Sequence, residues 1–129
     1  MVHSDKVNKA KMVREGPKLK ADFFRQGVGG SEPVREWLKS LPQAEKTEIG
    51  KDILAVQFGW PLGLPLVDHV EADIWEVRTK LVTRIARVLF VVDGSTMVLL
   101  HGFIKKSQKT PKPDLDLAKE RLKRMRGLK

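Results

Sequence analysis

The chain has 129 residues and 14.6 kDa, with 41% hydrophobic and 32% charged residues, a formal net charge of +9 and a pI near 10.0. That is enough for one domain with its own core. Cysteine and tyrosine are absent, which excludes a disulfide framework, a thiolate metal site and a cysteine nucleophile. No apolar run approaches the roughly 20 residues of a membrane-spanning helix, and the polar, basic N-terminus lacks a signal-peptide apolar segment, so a cytoplasmic protein with no membrane partner is expected.

The charge is unevenly spread. Residues 1–20 hold six Lys/Arg against two Asp/Glu, and residues 105–129 hold ten against three, around a slightly acidic body. Basic ends of this kind favour a polyanion, nucleic acid above all, with an acidic protein as the other option.

In chain order, residues 1–17 read as a weakly structured basic arm closed by Gly16-Pro17, and 18–129 as the folded domain. Leu19 to Arg25 alternates as a first strand, with Leu19, Ala21 and Phe23 on one side, before a flexible Gly-rich turn. Ser31-Glu32-Pro33 opens a helix. Its stripe is Val34, Trp37, Leu38 and Leu41, and Leu41-Pro42 ends it and opens a second helix. Ile49, Ile53, Val56 and Leu54 give that helix its stripe, making a helical hairpin. The breaker-rich loop Gly59 to Pro65 is expected to lay Trp60 over the core edge. From Leu66 the period becomes two. Ile74 to Lys80 puts Trp75, Val77 and Thr79 on one face and Glu76, Arg78 and Lys80 on the other. Arg84 to Val92 is a longer apolar strand, and Asp93-Gly94 a hairpin turn into the next one. Three consecutive antiparallel strands result, with the first strand completing the sheet.

The organising stretch is Met97 to Pro111, a buried-strand sequence that becomes a cluster of cations. Alternation puts Met97, Leu99, His101, Phe103 and Lys105 on one face and Val98, Leu100, Ile104 and Lys106 on the other, with a possible bulge at Gly102. Lys105 and Lys106 are expected at the solvent edge. Beyond Pro111 a last helix is expected to cap at Asp114 and to bury Leu115, Ala118, Leu122 and Met125. The fold class is therefore α+β.

Among residues that could do chemistry, Arg78 lies on the polar side of its strand. Arg87 shares an apolar face with Ile85, Leu89 and Val91, where a guanidinium is costly unless an anion such as Glu76 pairs with it. A single histidine in the setting of His101 is more often a satisfied structural group than a base. Paired carboxylates, a Gly-rich phosphate loop and a spaced His/Asp metal set are all missing from the sequence. The tools of an enzyme here would be arginines, lysines and His101, and its substrate a phosphodiester.

Five stretches carry a resemblance: Glu32-Pro33-Val34-Arg35-Glu36-Trp37-Leu38, Gln57 to Gly63, Ile74 to Arg78, Arg84 to Phe90 and Leu99 to Pro111. Across residues 18–126 the chain resembles the phage-derived, HigB-type branch of the RelE/ParE toxin superfamily. The resemblance implies a RelE-like small antiparallel sheet flanked by an N-terminal helical hairpin and a C-terminal helix. It implies the toxin of a type II toxin–antitoxin pair, a ribosome-dependent, metal-independent mRNA endoribonuclease needing no cofactor. A helix-turn-helix antitoxin would neutralise it, in a hetero-oligomer. Carried over, the catalytic positions are Arg78, Arg87, Lys105 and Lys106, and Arg84, His101 and Lys109 would contact nucleic acid. The C-terminal segment lacks the tyrosine or histidine that some relatives use. Two other readings stay open: a same-fold toxin that binds a protein such as DNA gyrase, and a non-catalytic nucleic-acid-binding phage accessory protein.

Overall fold

The computed structural model describes residues 16–105 and 109–127. In chain order the elements are β1 (Lys20–Phe23), α1 (Pro33–Lys39), α2 (Gln43–Gly59), β2 (Val67–Glu71), β3 (Ile74–Lys80), β4 (Ile85–Asp93), β5 (Thr96–Lys105) and α3 (Lys112–Met125). The five strands make one sheet in the order β1-β5-β4-β3-β2. β2 to β5 form an antiparallel meander, one strand longer than the three expected, and β1 lies parallel to β5. The sheet is thus mixed, and the class is α+β as expected. No helix among the described residues is long and apolar enough to cross a membrane.

The helices cover opposite faces. α1 and α2 bury Val34, Ile49, Ile53 and Val56 against Val77, Val88, Phe90 and Leu99. Leu54 is 48% exposed and lies outside that seam. The other face packs Leu89, Val91, Leu100 and Phe103 on Ala118 and Leu122 of α3. Each such side chain contributes about 1.5–3 kcal/mol by leaving water, so both faces are held strongly enough to fix strand register. Trp60 closes the core edge as expected, edge-on to Trp75 at 5.1 Å and to Phe90 at 5.7 Å. The expected turn at Asp93-Gly94 joins β4 to β5, with Gly94 at φ 61°, a conformation glycine adopts without strain.

One irregularity decides where the cations point. Leu99 pairs with Phe90 and His101 with Leu89, so Leu100 is an extra residue in β5. The bulge therefore falls two residues before Gly102, the position expected for it. Its effect is to shift the pleat by one residue. Val98 and Leu100 face α3 before it, and Phe103 faces α3 after it, with Ile104 turned to the α1/α2 side. Lys105 follows Phe103 onto the α3 face, instead of sharing a face with Met97 and Leu99. Gly102 has a different role. A Cβ there would lie 2.3–2.8 Å from ring atoms of Trp37, so α1 packs its indole directly on the β5 backbone.

α3 begins two residues before Asp114, with Pro111 at the cap position and Lys112 and Pro113 opening the helix. Asp114, expected as the cap, sits in the first turn instead. Its carboxylate is turned to the sheet.

Candidate active site

The α3 face of the sheet carries the expected cations in register. Arg78 of β3 stands directly opposite Arg87 of β4, and Arg87 opposite Phe103 of β5. One row toward α3, Glu76, Leu89 and His101 are aligned in the same way, and at the other end Ile85 pairs with Lys105. Two guanidiniums directly across a strand pair repel. Their proximity requires an anion, and Glu76 supplies it.

Arg87 and Glu76 are 2% and 1% exposed. The Arg87 Nη1 donates to Glu76 Oε1, and Thr110, at the foot of α3, donates its hydroxyl to Glu76 Oε2 at 3.2 Å. The expected Glu76–Arg87 pair is therefore present and buried. Such a pair contributes little net stability, but removing one partner leaves an uncompensated charge. The Nε of Arg87 is buried with no hydrogen-bond partner among the described residues.

Lys105 corrects the expectation that it lies at the solvent edge: it is only 5% exposed. The bulge turns it onto the α3 face of the sheet. Burial is the main reason its amine is held below the ordinary lysine range, and the positive charge of Arg87 adds to the effect. Glu76 and Asp68 oppose the shift and Arg78 reinforces it. A lysine in this setting gives up its proton more readily than a surface lysine, the property required of a general base.

Arg78 is half-buried and opens onto a cleft of about 630 Å³ walled by Glu48 and Asp52 of α2, Leu64, Leu66 and Lys80. Burial raises the Asp52 carboxyl, opposed by a hydrogen bond from Thr79. Of the three clustered cations, Arg78 is the most accessible.

Arg84 is engaged away from this cluster: it reaches to α2, where Glu45 takes its Nη2 at 2.5 Å and its Nε at 3.1 Å. Lys109 is exposed between β5 and α3. Lys106 and the arm before Gly16 lie outside the described residues.

His101 is held in a network of side-chain contacts. Its Nε2–H donates to Asp114 Oδ1 at 2.6 Å, its ring stacks on Phe103, and Nδ1 accepts a long 3.4 Å bond from Arg121 Nη1. That network assigns the neutral Nε2–H tautomer. Burial lowers its pKa, with Asp114 opposing. Arg121 also donates to the carbonyl of Leu100, the bulged residue, at 2.8 Å. α3 thus clamps the bulge from Asp114 and Arg121. The sequence offered no sign of this role for Arg121, one of many basic residues on its helix, or of the Thr110 contact to Glu76.

Among known proteins, residues 36–123 match the family model described as Phage derived protein Gp49-like (DUF891). The matched span runs from within α1 to within α3 and includes every strand of the meander and the whole cluster. No curated protein matches the chain.

Proposed function

Because the chain belongs to the phage-derived Gp49-like family of RelE/ParE-like toxins, we propose that it is the HigB-type toxin of a type II toxin–antitoxin pair that cuts mRNA on the ribosome. A helix-turn-helix antitoxin holds it inactive. The observation that carries this reading is the convergence of Arg78, Arg87 and a buried Lys105 on one sheet face, aimed there by the bulge at Leu100.

RNA brings its own nucleophile, the 2′-hydroxyl, so cleavage needs alignment, a base and stabilisation of the charge that develops on phosphorus oxygens. Neutral Lys105 takes the 2′ proton. The 2′ oxygen attacks the adjacent phosphorus, the bond to the 5′ oxygen breaks, and that oxygen takes up a proton from water on leaving, giving a 2′,3′-cyclic phosphate and a 5′-hydroxyl. Arg78, the accessible cation, contacts the non-bridging oxygens. Arg87 supports it from beneath, where a low dielectric strengthens its field, and Lys106 adds a further phosphate contact. The ribosome supplies the in-line geometry that so small a toolkit lacks.

Induced expression without a partner tests the reading. Growth arrest should begin with loss of translation and new mRNA ends on ribosome-bound messages, while replication continues. An arrest that starts with DNA damage and leaves translation intact would point to a topoisomerase-type target instead.

A further inference from the structure

We propose that Glu76 is a positioning residue of this site: one carboxylate oxygen holds Arg87 beside Lys105, and the other ties in Thr110 at the foot of α3. The inference rests on the cleavage reading above. Glu76 is 1% exposed, too deep to touch substrate, so it acts through Arg87.

Three observations support it. Arg87 stands directly opposite Arg78, and a buried anion is what lets the two guanidiniums share a row. The Arg87 Nε has no partner among the described residues, so the orientation of the guanidinium depends on the Nη1 contact to Glu76. Thr110 anchors the second carboxylate oxygen from outside the sheet, so Glu76 cannot swing without releasing the loop that leads into α3. Among the described residues, the charged groups acting on Lys105 include Arg87 of β4, Glu76 and Arg78 of β3, and Asp68 of β2. Glu76 thus fixes one cation by contact and acts on the neighbouring one by charge.

Glu76→Gln tests this, because the amide oxygen still accepts from Arg87 while the charge is gone. Lys105 loses a neighbour that favours its protonated form, so it should release its proton at lower pH. The acid limb of the pH–rate profile for cleavage of ribosome-bound mRNA should move down with it. Titration of lysine ¹³Cε signals in the full chain should report the same shift for Lys105. At high pH, where the base is already free, kcat should fall about tenfold or more, since a misplaced charge is costly in a preorganised site, while KM changes less. A purely structural role would lower Tm and leave both pH readouts in place. A folded Glu76→Gln protein with the parent's limb and the parent's Lys105 titration overturns the proposal. If Glu76→Gln does not fold, Thr110→Val decides: loss of one hydrogen bond to the anchor should cost about 2- to 10-fold in kcat, and a parent-like kcat overturns the proposal. If the parent itself cuts nothing, the cleavage reading fails, and the Lys105 titration in Glu76→Gln still tests Glu76.

Discussion

Gly102→Ala perturbs the strand that carries Lys105 without touching any cation. The new Cβ would stand 2.3, 2.5 and 2.8 Å from three carbons of the Trp37 ring, against an unstrained carbon–carbon separation of about 3.5–4.0 Å. The indole must move outward by about 1 Å, or β5 must shift away from α1. Overpacking of this kind costs about 1–3 kcal/mol. At about 4 °C per kcal/mol for a domain of this size, Tm should fall by roughly 4–12 °C. Trp37→Leu frees the space. Combined with Gly102→Ala it should cost less than the sum of the two single changes, with a coupling energy of about 1 kcal/mol or more. Thermal melting of the four proteins by circular dichroism measures the cycle. A Gly102→Ala protein that melts with the parent, or strict additivity with Trp37→Leu, would refute direct packing of α1 on the β5 backbone.

Other outcomes follow from the buried charges. Arg87→Met should destabilise by about 3–5 kcal/mol, because it removes one partner of a buried pair and leaves the other uncompensated; adding Glu76→Gln should recover most of the loss in a denaturant melt without restoring cleavage. The folded-state pKa of Lys105 lies below 10.5, so the unfolded chain binds the extra proton between the two values and stability rises with pH across that window. Lys105→Met should flatten this rise and slow cleavage by about 10²–10³-fold. His101 is likewise held below 6.5, so its contribution falls as pH drops through the unfolded value toward the lowered one; His101→Gln should remove that slope from a Tm-against-pH series. Ribosome or RNA affinity should weaken steeply with salt, in proportion to the phosphates contacted, as read in binding assays across a salt series.

Much of the fold was legible because hydrophobic period is a local property. The stripes Val34/Trp37/Leu38 and Ile49/Ile53/Val56, the Pro33 and Pro42 breaks and the Asp93-Gly94 turn all follow from neighbours a few residues apart. Three things were not legible, for one shared reason: they depend on distant partners. The parallel pairing of β1 follows from docking against β5, not from its own residues. The bulge at Leu100 is held by Arg121, 21 residues away. Lys105 reads as a surface lysine until the bulge turns it onto the face of Arg87 and Glu76. The Glu76–Arg87 pair was readable, because an arginine on an apolar face demands an anion.

The most direct test of the account is single-turnover cleavage of ribosome-bound mRNA by the parent, Arg78→Ala, Lys105→Met and Lys106→Ala, each with its melting curve. Arg78 and Lys105 are expected to act in the transition state, and loss of one preorganised group there costs about 10²–10³-fold in rate. Losses of that size are expected for Arg78→Ala and Lys105→Met in proteins that still fold, with a rate for Lys105→Met that no longer depends on pH. Folded variants that cut mRNA at the parent's rate would contradict this expectation.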